Sequence, residues 1–300
     1  METADKFFRK RPRRLTDLGG LPYKDFKQQL NDLYKPCCDE HAHLPNLAAD
    51  GDIEAMLQKL VKKIYDEQGM PEKIDAGVTK YYAAQLWKAI TEGYGEDLAS
   101  VDFDTPDYTM LRHLQEDVYQ FSGAKNYQQL KELSQALVSD EGAIRTFAEF
   151  KEAALLINKE QVTTYLQAEY NLAINSGQMA SKWETIEENK DVLPLLQFDA
   201  VIDDRTTAIC SSLNEVIKPV ADPFWDMYYP PNHFGCRSTV RSLSSGKITG
   251  HDDYVTPDKI PDMFKTNLAK NGLAFPPKHP YFVGLPEQVK EQSAKILNKK

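Results

Sequence analysis

At 300 residues, 41% hydrophobic and 27% charged, the chain can bury a sizeable core and still present an ordinary water-facing surface. No apolar run reaches the roughly eighteen residues a membrane span needs, and the first residues carry no apolar core or cleavage site of a secretion signal. The formal net charge of −9 is uneven: residues 1–14 hold six basic and two acidic side chains, leaving 30 basic against 43 acidic, a net −13, for the rest.

An acidic body of this kind repels nucleic acid, so a DNA contact would have to run through the basic arm, at Arg9, Lys10, Arg11, Arg13 and Arg14. The alternative is a solvated terminus with no partner. Cys37 and Cys38 are adjacent, and Cys210 and Cys236 lie far from them. That spacing does not suit a secreted disulfide framework, and it predicts synthesis in a reducing cytoplasm.

Residues 1–49 are punctuated by Pro12, Gly19-Gly20, Pro22, Pro36 and Pro45, which predicts an extended arm with one short helix over Tyr23–Tyr34. Within it, Cys37-Cys38-Asp39-Glu40-His41-Ala42-His43 has metal-ligand residue types at a spacing that matches no common zinc pattern, and reads as a polar loop. A helical domain is expected over 50–183. Ile53, Met56, Leu57, Leu60 and Ile64 recur at helical spacing behind Asp52 as N-cap. Val78, Tyr82, Leu86 and Ile90 repeat that spacing, with Gly93 and Gly95 as the stop. Val101 and Phe103 alternate as a short extended piece. Leu111 to Phe121 mark a third helix ended by Ser122-Gly123, and Tyr127 to Leu137 a fourth. Ile144, Phe147, Phe150 and Leu155 mark a fifth, and Val162 to Leu172 a sixth that continues toward Trp183. Each stripe buries one face, which makes a helical layer.

Leu193-Pro194 breaks the helical pattern, and Leu195–Phe198 with Val201-Ile202 read as a strand entering a small α+β module over 184–243. A loop-rich tail, 244–300, ends in a helix at Glu287–Leu297. The fold class is mainly α: a helical N-terminal layer, then the α+β module, then the tail.

The module concentrates the chemistry. Asp203 can cap a short helix over Thr206–Leu213, and Arg205 and Arg237 are guanidinium forks that can bind Asp203, Asp204 or Asp222. Asp222-Pro223-Phe224-Trp225 follows, then Pro230-Pro231-Asn232-His233-Phe234-Gly235-Cys236-Arg237-Ser238. Pro231 stiffens the turn that presents His233 and Cys236, and Cys236, Ser238 and Val240 alternate into a strand. A polar lock, more than a large apolar core, would hold this unit together.

Three functions compete for it: a zinc site from Cys210, His233 and Cys236, a Cys–His nucleophile, and a rigid clasp made of Asp203, Arg205, Cys210, Asp222, Trp225, Pro231, His233, Cys236 and Arg237. The clasp is favoured, with no catalytic residue and no obligatory cofactor. The chain carries no phosphate-cradling glycine loop, no His-Glu-x-x-His and no dinucleotide fingerprint.

Across residues 198–243 the sequence resembles the phage Mu F-like minor head proteins, also called phage head morphogenesis proteins. Family members share an Asp-x-Arg segment, a Cys or His ahead of Leu-Asp-Gly, an Asp-Pro-Phe-Trp-like segment and Pro-Pro-x-His-x-x-Cys-Arg-Cys. Here these read Asp203-Asp204-Arg205-Thr206, Cys210-Ser211-Ser212-Leu213-Asn214-Glu215, Asp222-Pro223-Phe224-Trp225 and Pro230 to Ser238. A weaker match extends back through Tyr165–Trp183. Two departures stand out. Thr207 and Ser238 replace cysteines found in relatives, and Asn214-Glu215 replaces Asp-Gly.

The resemblance implies a non-enzymatic virion component, located in the head interior or at the portal and present in the host cytoplasm during assembly. Its implied partners are the portal protein and capsid or scaffold proteins, with phage DNA reached through the arm and no membrane. Some relatives fuse the module to toxin domains such as ADP-ribosyltransferases, so the competing expectation is a metal-dependent hydrolase or toxin-related enzyme built on Cys210, His233 and Cys236.

Overall fold

The computed structural model describes residues 23–34, 51–139, 141–254 and 260–299. The basic residues of the arm and the Cys37–His43 run lie outside them. Among the described residues, six helices form the layer: α1 (Tyr23–Tyr34), α2 (Gly51–Glu67), α3 (Ala76–Tyr94), α4 (Pro106–Gln135), α5 (Phe147–Glu160) and α6 (Leu166–Asn189). The helix over Tyr23–Tyr34 is the one expected. Helix α2 begins one residue before Asp52, which therefore lies in its first turn and favours the N-terminal end of the helix dipole.

Local chemistry sets the other starts. Asp75 accepts the Val78 N–H at the head of α3, and Thr105 accepts the Tyr108 N–H ahead of Pro106 in α4. Thr146 and Glu149 form a reciprocal capping box at α5. A five-residue π turn, Gln161–Tyr165, joins α5 to α6 without a loop.

Two glycines read as helix stops have another use. Helix α3 runs through Gly93 and ends at Gly95, in the left-handed region at φ 91°. A Cβ on Gly93 would lie 2.0 Å from the carbonyl oxygen of Ile174, and one on Gly177 would lie 2.4 Å from that of Ile90. The two glycines face each other's helices, so α3 and α6 cross at a distance no other residue allows. Likewise the third and fourth helices are one 30-residue helix, α4, running through Ser122 and Gly123. A Cβ at Gly123 would sit 1.9 Å from Ser293 Oγ of the C-terminal helix. Close approach, and no chain break, is the reason for these glycines.

Other expectations in the layer also change. Val101 lies at a bend and Phe103 in a turn, with Phe103 exposed. Ile144 lies before α5 and pairs with Val138 in an isolated bridge. In α5 the buried residues are Phe150, Ala154, Ile157 and Asn158, whereas Leu155 and Leu156 are 67% and 71% exposed.

The module follows α6. Strands β1 (Leu195–Asp199), β2 (Ile217–Pro219) and β3 (Thr239–Leu243) form an antiparallel sheet with β1 in the centre. Phe198 pairs with Val240, and Leu196, Phe198 and Val240 are fully buried on one face. Val201 and Ile202 lie beyond the strand and are exposed. Two short helices, α7 (Ala208–Leu213) and α8 (Phe224–Tyr228), sit between strands. Glu215 takes φ 64°, in the left-handed region, and Asn214 steadies the turn by accepting the Ala200 N–H at 3.0 Å.

The module is not held mainly by polar contacts. Its buried Leu213, Val216, Phe224, Trp225 and Tyr229 continue the same apolar core as the helical layer. Trp183 of α6 meets Tyr229 edge-on at 4.9 Å, and the Tyr229 hydroxyl donates to the Met179 carbonyl at 3.0 Å. Nor is the segment after residue 243 a loose tail. Phe264, Phe275 and Tyr281 are fully buried, and Phe275 stacks on Phe121 of α4 at 3.8 Å. The terminal helix α9 (Glu287–Leu297) buries Val289, Ser293 and Ile296, with Ser293 against Gly123.

Candidate functional site

Residues far apart in sequence meet in the module. Arg237 reaches both oxygens of Asp203, at 2.6 and 2.8 Å, in the bidentate geometry that guanidinium and carboxylate share. Arg205 approaches the same carboxylate at 3.7 Å. Arg237 beside it holds the Asp203 carboxyl well below the usual range. Asp222 is bound to neither arginine here. Its Oδ1 accepts the Phe224 N–H at 2.8 Å and thereby fixes the start of α8. The cap of α7 is Thr207, in place of Asp203, whose own Oδ1 accepts the Arg205 N–H in a tight turn. Trp225 and Pro231 are buried, Trp225 with its ring edge-on to Phe224, and the Pro230–Pro231 peptide is cis.

Beneath this exposed pair lies a buried cluster. Helix α7 supplies Cys210, and the turn after α8 supplies His233 and Cys236. Cys210 Sγ lies 3.2 Å from His233 Nε2 and 3.8 Å from Cys236 Sγ. Thr207 Oγ1 lies 3.1 Å from the same Nε2. His233 Nδ1 is 2.8 Å from the Phe234 carbonyl oxygen, which can only accept, so Nδ1 carries the proton and Nε2 faces the thiols with its lone pair. The Cys236 carbonyl is held by Asn175 of α6 at 2.6 Å, which ties the cluster to the layer.

The two thiols differ in acidity. A hydrogen bond from Cys210, with further bonds from Asn232 and Ser238, pulls Cys236 down to about 7 against the effect of burial. The bond to Cys236 and burial push Cys210 up. Such a cluster can bind a soft divalent metal, form a disulfide or polarise a thiol.

A second polar assembly escaped the sequence reading. Lys125 of α4 and Glu169 of α6 are both fully buried, with Nζ 2.9 and 2.8 Å from the two carboxylate oxygens. The Tyr34 and Tyr281 hydroxyls donate to Glu169 Oε1 at 3.0 and 2.8 Å, and Tyr34 also lies 2.9 Å from His279 Nε2. The Tyr281 N–H donates to His279 Nδ1, so Nε2 bears the proton and donates to Tyr34. Burial drives Glu169 up and Lys125 down, each opposed by the other's charge, and burial with the Lys125 charge keeps His279 neutral. The visible signal was Glu169 on an otherwise apolar stripe. Nothing in its neighbourhood named partners 44 and 112 residues away.

Comparison with known proteins gives the chain a context. Residues 127–241 match the family model described as Phage Mu protein F like protein, a stretch from the second half of α4 to β3. Over 79 residues, 26% of this chain, it is 32% identical to the putative capsid assembly protein F of Escherichia phage Mu, covering 18% of that protein. Over 65 residues, 22% of this chain, it is 40% identical to the Mu-like prophage FluMu F protein of Haemophilus influenzae, covering 16% of that protein. The chain thus matches less than a fifth of the length of either relative. No solved structure gives a significant match.

Proposed function

We propose that this chain, Mu F-like over residues 127–241, is a head assembly protein of a phage or prophage, acting as a structural adaptor and catalysing no reaction. The observation that carries the reading is the family match together with the relative named as a capsid assembly protein, over the stretch that contains the clasp. The burial of the cluster supports a structural role. Cys210 and Cys236 are 4% and 1% exposed, and a nucleophile so placed is turned away from any substrate. No helix among the described residues is long and apolar enough to cross a membrane.

The finer assignment is to the portal or the head interior, with capsid, scaffold and portal proteins as partners. The exposed Leu155 and Leu156 on α5 give the helical layer an apolar face for such contacts. The basic residues Arg9, Lys10, Arg11, Arg13 and Arg14 would reach packaged DNA, since the remainder of the chain is acidic.

The test is assembly of heads from the phage's own structural genes with and without this one. Co-purification of the chain with heads at low copy, and defective heads in its absence, is the expected result. Normal heads lacking the chain would overturn the reading. A copy without residues 1–14 should still enter heads while losing DNA crosslinks.

A further inference from the structure

We propose that Cys210, His233 and Cys236 form a zinc-binding site that closes the module. The three ligand atoms all lie within 4.8 Å of one another and are buried. Thiolates bound at about 2.3 Å in a tetrahedral zinc site stand about 3.8 Å apart. The two sulfurs here are 3.8 Å apart. A sulfur and an imidazole nitrogen on the same ion stand about 3.5 Å apart. The 3.2 Å between Cys210 Sγ and His233 Nε2 thus needs the ring to withdraw by a few tenths of an ångström.

Three further features suit a metal. The Phe234 carbonyl holds the proton on Nδ1, which leaves Nε2 as the ligand atom and supplies the outer hydrogen bond that orients ligating histidines. Two thiolates neutralise a divalent ion, so the loaded site adds no net charge to the buried region. Thr207, partly exposed and capping α7, places its hydroxyl beside Nε2, so the fourth position opens toward water at that side. The ion would join α7 to the turn that follows α8, adding metal bonds to the thiol and Thr207–His233 contacts that already link them.

Zinc here is independent of the proposed role in head assembly, since it concerns what holds the module shut. The experiment uses the full chain with Cys37→Ser and Cys38→Ser, so that every thiolate counted comes from Cys210 and Cys236. The protein is purified under reductant, stripped with chelator and titrated with zinc or cobalt(II). The expected result is one ion per chain, a cobalt spectrum of four-coordinate type with two thiolates' worth of charge-transfer intensity, and a Tm that rises with zinc and saturates at one equivalent. Thr207→Cys should raise that intensity by half, because it sets a third sulfur at the open position. His233→Ala and Cys210→Ser should abolish stoichiometric binding. Should those variants fail to fold, the thiolate count of the Cys37→Ser/Cys38→Ser protein still decides. Binding well below one equivalent, a cobalt spectrum without thiolate bands, or binding unchanged in folded His233→Ala would overturn the site.

Discussion

The helical layer and the module both bury polar groups, and they satisfy them differently. In the layer, the Glu169 carboxylate receives Lys125, Tyr34 and Tyr281, drawn from α1, α4 and the segment before α9. In the module, the buried cluster has no full charge pair. It consists of two thiols and an imidazole whose protons can be redistributed or replaced by a metal. The module's charged pair, Asp203–Arg237, lies at the surface. A buried ion pair therefore anchors distant parts of the layer, whereas the module rests on apolar packing and a cluster of two thiols and an imidazole.

The largest effect should come from unbalancing the layer's ion pair. Glu169→Gln leaves Lys125 buried with only the Glu132 charge to offset it, and Lys125→Met leaves the carboxylate with only hydroxyl donors. Each should cost about 3–5 kcal/mol in urea unfolding. The double variant should cost far less than the sum, because paired removal leaves no buried charge behind. Single-variant losses below about 1 kcal/mol would break the comparison and assign the anchoring to the aromatic contacts around Tyr281.

How far the sequence revealed this molecule follows the same division. The helical stripes gave α2, α3 and α6 because periodic burial is a local signal, and Leu195–Phe198 gave the central strand for the same reason. Long-range approach was hidden. Gly93 and Gly123 looked like helix stops because a glycine's packing partner, Ile174 or Ser293, is known only once the helices cross. The segment around Phe275 and Tyr281 looked like a tail because its prolines and glycines conceal a set of buried rings. In the module the ligand-type residues Cys210, His233 and Cys236 were legible as a set, whereas Asp203–Arg237 was one of several pairings that Arg205 and Arg237 left open. The roles of Asp222 and Thr207 were not legible, since capping depends on where a short helix begins.

A smaller effect sharpens the contrast through pH. His279 is neutral in the fold and its pKa is depressed by burial and by Lys125. The unfolded chain binds a proton near pH 6.5 and the folded chain does not, so stability is lost as pH falls through and below that value. The slope from this one group is at most about 1.4 kcal/mol per pH unit. Glu169 acts in the opposite sense, since its raised pKa favours the folded state as pH falls toward its own range. Comparison of His279→Gln with the unaltered chain between pH 7.5 and 5.5 isolates the histidine: the variant should lose less stability on acidification. Equal slopes would mean that the acid sensitivity lies outside the layer's network.

The smallest effect belongs to the surface pair of the module. Asp203→Asn keeps the Oδ1 that accepts the Arg205 N–H and removes only the charge that Arg237 grips. Because both side chains are about one-third exposed, solvent already screens the pair. The depressed Asp203 carboxyl contributes stability that is present above the usual carboxylate range and lost as pH falls below that range toward the lowered value. At neutral pH the variant should therefore show a small drop in Tm at low salt that fades at high salt. A drop as large as that of Glu169→Gln, persisting in salt, would reverse the comparison. The module would then depend on its exterior lock, and the apolar contacts of Trp225, Tyr229 and Trp183 would be insufficient to hold it against α6.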